Sequence, residues 1–170
     1  KSASSLNKDG GGIAWIEERD GKKVVAWKKG MDMTPKAIMK LIKDRDIQLP
    51  IVIHYRIATH GKVDTPLCHP FCFDDMGEEM TDYDLQSEGY AEDGVLFHNG
   101  VWRDYKEFAL DLVKMNSQAK IPDGDISDSR IMAWLIKYLG INYLSMIDEK
   151  VCVLTPEGLK TYGSGWVDVD

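Results

Sequence analysis

Two short apolar runs, Ile13 to Ile16 and Lys23 to Trp27, flank the polar turn Arg19-Asp20-Gly21-Lys22. Asp-Gly between such runs predicts a β-hairpin. Thr34-Pro35 then sets a helix start, with Thr as N-cap and Pro at the first helical position. Ile38, Leu41 and Ile42 follow at helical spacing. Leu49-Pro50 stops that helix, and Ile51-Val52-Ile53 reads as a short buried strand leading into His54 to Gly61. Further on, Val95-Leu96-Phe97 predicts another strand, running into His98-Asn99-Gly100. Tyr105 to Met115 predicts a helix, with Phe108, Leu112 and Met115 at helical spacing. Gln118 to Ile126, with Pro122-Asp123-Gly124, reads as a loop. Ser127 is the expected N-cap of a helix with Ile131, Trp134, Leu135 and Tyr138 on its inner face, ended by Gly140. Tyr143 to Met146, Lys150 to Leu154 and Leu159 to Tyr162 predict a closing meander, with turns at Asp148-Glu149 and Pro156-Glu157-Gly158.

Hairpin signals at both ends, with helices between, favour antiparallel pairing and an α+β layout. The 170 residues suit a single domain, 1–170, able to bury its own core. Hydrophobic content of 44% and charged content of 29% are ordinary for a soluble protein. No apolar run reaches the roughly 18 residues of a membrane span, and Lys1 to Leu6 lacks an apolar signal-peptide core. Three cysteines, Cys68, Cys72 and Cys152, cannot all pair within the chain, so a reducing compartment and cytoplasmic localisation are expected.

Charge changes the picture more. The net charge is −7, yet residues 74 to 93 hold nine acids and no Lys or Arg; removing those nine negative charges from −7 leaves +2. A nucleic-acid partner is not expected, because no basic face is concentrated anywhere and the acidic stretch repels phosphate.

The candidate chemistry sits at strand and helix ends. Arg56 closes an apolar strand, where a guanidinium presents a fixed fork of donors to a carboxylate; a structural ion pair is the plainer use of such an Arg. Asn99 and Gly100 can aim a side-chain N–H and a backbone N–H at one point, the requirement of an oxyanion hole, although Asn-Gly is also a common turn. Asp128, just inside a helix N-terminus, needs no function there beyond capping and stabilising the helix dipole. Asn7-Lys8-Asp9-Gly10-Gly11-Gly12 lacks the Gly-Lys-Ser/Thr ending and following helix of a phosphate loop, so close backbone packing is the better reading.

His54-Tyr55-Arg56-Ile57-Ala58-Thr59-His60-Gly61, Cys68-His69-Pro70-Phe71, His98-Asn99-Gly100 and Ser127-Asp128-Ser129 occur in an order that resembles the class II glutamine amidotransferases. The resemblance runs from Asn7 to about Trp166 and includes the Asn-x-Asp-Gly-x-Gly segment at Asn7. It implies the N-terminal-nucleophile fold, a four-layer αββα sandwich of antiparallel sheets. It implies that Arg56 binds the α-carboxylate of glutamine, with Thr59, His60 and Gly61 on the same binding stretch. Asn99 and Gly100 become the oxyanion hole, and Asp128 the partner of the α-amino group. No cofactor and no metal are implied. The expected reaction is hydrolysis of L-glutamine, or a related small amide, with ammonia passing to an acceptor such as a separate synthetase.

The family's nucleophile is the first residue of the mature chain, whereas residue 1 here is Lys1. The expectation is therefore that the attacking cysteine lies outside these 170 residues. The alternative is a catalytically inactive binding or regulatory module of the same fold. Cys68-His69 with Cys72 and upstream His54 and His60 invites a Cys/His hydrolase or a zinc site instead. Neighbouring residues on an extended chain point apart, which disfavours both. Cys152 reads as an inert core thiol. Residues 74–93 are longer than the family's usual link and read as an acidic insert. A solvated loop is the expectation for it, with docking of a basic partner through Tyr83 and Tyr90, or guarding of the pocket mouth, as the functional possibility.

Overall fold

The computed structural model describes residues 9–56, 65–75 and 82–169. Two antiparallel four-stranded sheets form its centre. The first is built around the predicted hairpin, β1 (Gly11–Arg19) and β2 (Lys22–Gly30), paired in register from Gly11↔Gly30 to Arg19↔Lys22. Asp20 and Gly21 both take positive φ at its tip, as a tight two-residue turn requires. Thr34 caps α1 (Pro35–Asp44) by accepting the Ala37 N–H, and β3 (Ile51–Tyr55) returns beside β1. The second sheet runs β4 (Phe71–Cys72), β6 (Val95–Asn99), β7 (Lys150–Thr155) and β8 (Gly158–Tyr162) in that spatial order. Between β4 and β6 in the chain, β5 (Glu88–Ala91) crosses back to pair with β2.

Side-chain alternation makes four layers from these two sheets. Ala14, Val25 and Trp27 of the first sheet meet Val95, Phe97, Cys152 and Leu154 of the second. The opposite face of the first sheet, through Ile13, Trp15 and Ala26, packs on Ile38 of α1. The opposite face of the second, through Phe71, Leu96, Val151 and Val153, is covered by α2 (Tyr105–Met115) and α3 (Asp128–Leu139). The molecule is α+β, an αββα sandwich.

Two local expectations, on Tyr143 to Met146 and on Tyr138, are corrected. Tyr143 to Met146 forms part of a 3₁₀ helix, Ile141–Met146, in place of a strand; its Tyr143 hydroxyl donates to the Met132 carbonyl at 2.5 Å and so ties the segment to α3. In α2, Ala109 is the buried residue and Leu112 packs against the core, while Phe108 and Met115 are exposed. In α3, Tyr138 is exposed, whereas every position from Ser129 to Ile136 is buried.

The acidic stretch is also more structured than a solvated loop. Asp74 is buried and accepts the N–H groups of Glu92, Asp93 and Gly94. Asp84 takes both arms of the fully buried Arg130, at 2.9 and 3.0 Å. Tyr83 stacks edge-on against Trp27 and exchanges hydrogen bonds with the Tyr90 backbone, while Arg19 lies over the Tyr90 ring. Residues 76–81 lie outside the described residues. Among the described residues no helix is long and apolar enough to cross a membrane.

Candidate functional site

The site forms where the two sheets part at one end. Alternation along β3 sends Val52 and His54 into the space between the sheets, and Arg56 continues the same face. From the other sheet, β6 ends at Asn99, and Gly100 turns the chain at φ +134. A Cβ on Gly100 would meet only ordinary contacts, so glycine is required there for its backbone angle. Ser127 accepts the Arg130 N–H as the cap of α3, which puts Asp128 in the first turn facing the same space. Gly12, on the inner face of β1, abuts the His69 carbonyl so closely that a Cβ would overlap it. This contact is the close backbone approach expected of the glycine segment.

These elements enclose a cavity of about 520 Å³ lined by Arg56, Asn99, Gly100 and Asp128, together with His54 and His69. That size falls in the range of small-molecule sites. The structure thus brings Arg56, Asn99, Gly100 and Asp128 together; Thr59, His60 and Gly61 lie outside the described residues. Arg56 is 7% exposed, and its Nη1 has no hydrogen-bond partner among the described residues. Asp128 accepts the Trp102 N–H at 2.7 Å and the Ser129 N–H at 2.8 Å. Those two bonds fix the carboxylate and leave lone pairs toward the cavity.

Three buried or half-buried histidines meet here. His98 Nε2 lies 3.1 Å from Glu149 Oε2, and a carboxylate only accepts, so Nε2 carries the hydrogen. His98 Nδ1 lies 2.9 Å from the Ser129 hydroxyl oxygen and 3.8 Å from Asp128 Oδ2. His54 and His69 stack with ring centroids 4.0 Å apart. Burial lowers the His54 pKa to about 4, against a partial opposing effect from its bond to the His98 carbonyl. Burial, reinforced by His54 next to it, holds His69 well below the ordinary histidine range. Both rings are therefore neutral at physiological pH.

Beneath the cavity Lys29 is fully buried, donating to the Pro70 carbonyl at 2.8 Å and the Asp84 carbonyl at 2.6 Å. Burial lowers its pKa to about 7. Sequence reasoning missed this lysine, yet the same alternation that places Val25 and Trp27 inward also places Lys29 there. It missed the His98–Glu149 and Asp84–Arg130 pairs as well, which join residues far apart in the chain and leave no local signal.

The cysteine alternatives separate geometrically. Cys68 Sγ turns to the Asp9 carbonyl at 3.9 Å, whereas its neighbour His69 lines the cavity. Burial pushes the Cys72 thiol far up and the Cys152 thiol up to about 12, which suppresses the nucleophilic thiolate at both. Among the described residues no group of three or more His, Cys, Asp or Glu is placed to hold a metal.

An αββα sandwich whose parted sheet ends present a guanidinium, a carboxylate and an Asn-Gly turn to one cavity is a domain of the N-terminal-nucleophile type. The chain belongs to the class II glutamine amidotransferases: the family described as "Glutamine amidotransferases class-II" matches residues 1–143, a span that includes Arg56, Asn99, Gly100 and Asp128. No individually curated protein matches it.

Proposed function

We propose that the cavity binds L-glutamine as a free amino acid and that the domain releases ammonia from it. The observation that carries this reading is the buried Arg56 guanidinium, whose Nη1 lacks a partner among the described residues and which shares the cavity with the Asp128 carboxylate. A buried cation with unused hydrogen-bonding capacity is costly until an anion meets it. Arg56 takes the α-carboxylate and Asp128 the α-ammonium, so only a ligand carrying both charges satisfies both. By family analogy Thr59, His60 and Gly61 complete the binding stretch.

The chemistry then follows from the remaining donors. A cysteine thiolate attacks the side-chain carbonyl carbon, and the carbonyl oxygen becomes an oxyanion held by the Asn99 side-chain N–H and the Gly100 backbone N–H. The C–N bond breaks, the nitrogen leaves as ammonia with a proton from the cysteine's α-ammonium, and water hydrolyses the thioester to glutamate. By family analogy the thiol is that of an N-terminal cysteine. The ammonia passes to a separate acceptor protein, and three buried cysteines outside any disulfide suit a cytoplasmic location.

Isothermal titration of the chain with L-glutamine tests the reading. Wild type binds, and Arg56→Lys, which keeps the charge but loses the fork, binds about 10- to 100-fold more weakly. Equal affinity in the two proteins, or no binding by wild type, refutes it.

A further inference from the structure

We infer that Glu149 is a positioning residue for the oxyanion donors: through the His98 ring it holds the Asn99-Gly100 turn against the first turn of α3. This inference rests on the glutamine reading and deepens it. It adds a group that touches neither the ligand nor the reacting atoms.

The end of β6 carries the evidence. Phe97 points between the sheets, so alternation sends the His98 side chain to the opposite face, toward α3. His98 is the last buried residue before the turn, and strand pairing stops one residue later, at Asn99 opposite Lys150. Three contacts fix it. His98 Nε2 donates to Glu149 Oε2 at 3.1 Å, and Nδ1 lies 2.9 Å from the Ser129 hydroxyl oxygen. His54 Nε2 donates to the His98 main-chain carbonyl at 3.2 Å. The His98 side chain is fully buried and that of Glu149 is 20% exposed, which makes the carboxylate the outer end of this chain of contacts.

Glu149 is itself well anchored. It stands at the entrance to β7, and its carbonyl lies where a Cβ on Gly163 would overlap it. Its Oε2 is 3.6 Å from the place a Cβ on Gly100 would take, so the carboxylate packs against the turn. An ionised carboxylate that close opposes a developing oxyanion if it swings toward it; the bond to His98 keeps it directed at the ring. Asp128 is held by other means. The Trp102 and Ser129 N–H groups fix its carboxylate by bonds that do not pass through Glu149. Loss of Glu149 therefore loosens the oxyanion donors and leaves the ammonium partner in place, which separates the chemical step from binding.

The test is steady-state ammonia release by protein carrying an N-terminal cysteine, together with isothermal titration by L-glutamine. Glu149→Ala should lower kcat about 10- to 100-fold, as expected when a group is displaced from its productive geometry. KM and glutamine affinity should stay close to wild type. Glu149→Gln, whose Oε1 can accept the same His98 N–H, should keep most of the rate. In wild type, ¹⁵N NMR should show His98 Nε2 carrying a hydrogen that exchanges slowly with water, a measurement that needs no variant to fold. Several results overturn the inference and leave the glutamine reading intact: unchanged kcat in a folded Glu149→Ala, equal losses in the Ala and Gln variants, a rise in KM matching the fall in kcat, or a His98 Nε2 without hydrogen. Wild type that neither binds glutamine nor releases ammonia from it overturns both.

Discussion

Raising the pH from about 7.5 to 8.5 should stabilise this protein by about 1 kcal/mol, through one buried lysine. Lys29 has its pKa lowered from 10.5 to about 7, with desolvation as the main cause and Asp84 only partly offsetting it. In the unfolded chain the group keeps its proton up to its ordinary pKa, whereas the folded protein gives the proton up from about pH 7. Over that interval the unfolded state binds more protons, so the free energy of unfolding rises with pH, at a limit of about 1.4 kcal/mol per pH unit. The full interval from about 7 to 10.5 corresponds to roughly 5 kcal/mol, which is the cost of keeping the charge buried at low pH. The buried thiols set the upper end: Cys72 and Cys152 titrate higher when folded than the ordinary thiol value of 9.0, so above pH 9 they favour unfolding and reverse the trend. Urea denaturation at closely spaced pH values, for wild type and Lys29→Met, measures the effect directly. The Met variant strands the Pro70 and Asp84 carbonyls, so its absolute stability combines opposing effects; the informative quantity is the slope with pH. Wild type should rise and Lys29→Met should stay level across the interval. Parallel curves would show that Lys29 does not titrate there and would refute the reasoning.

Other outcomes follow from the same structure. Asp84→Ala leaves the Arg130 guanidinium buried without its carboxylate and should cost about 3–5 kcal/mol in chemical denaturation; Glu88→Ala, an exposed acid of the same stretch, should fall within about 0.5 kcal/mol of wild type. On the proposed mechanism, Asn99→Ala in protein carrying an N-terminal cysteine should lower the rate of ammonia release by about 100- to 1000-fold, with a much smaller change in KM, since the donor removed would act on the oxyanion. Acidification should destabilise the fold between pH 6.5 and about 4, because the unfolded chain protonates its histidines in that range while His54 and His69 remain neutral when folded. A thermal-unfolding midpoint that stays level over that interval would refute their burial in neutral form.

Much of the fold was legible because its signals are local. Thr34-Pro35 and Ser127 cap the helices the sequence places there, and Asp20-Gly21 makes the predicted turn. Arg56, Asn99, Gly100 and Asp128 could be chosen because each sits at the end of an element, and the structure sets all four around one cavity. What stayed hidden depends on partners distant in the chain. β5 looks too polar for a strand until β2 is beside it, and Asp84 reads as one acid among nine until Arg130 arrives from 46 residues away. In α2 helical spacing identified the helix, but not that Ala109 would be its buried residue. The histidines were noticed as possible metal or nucleophile partners; their actual arrangement, two stacked neutral rings and a third tied to Glu149, follows from burial that no pattern of residues displays.

The contact between Gly12 and the His69 carbonyl has a consequence for how such a site can change. Main chain meets main chain there, so the spacing between β1 and the His69 segment is set without any side chain that substitution could trim. The side chains that line the cavity, among them His54, Lys106 and Ile126, can be exchanged while that spacing stays fixed. A change of occupant would therefore be worked at the lining, with the frame of the sandwich left in place.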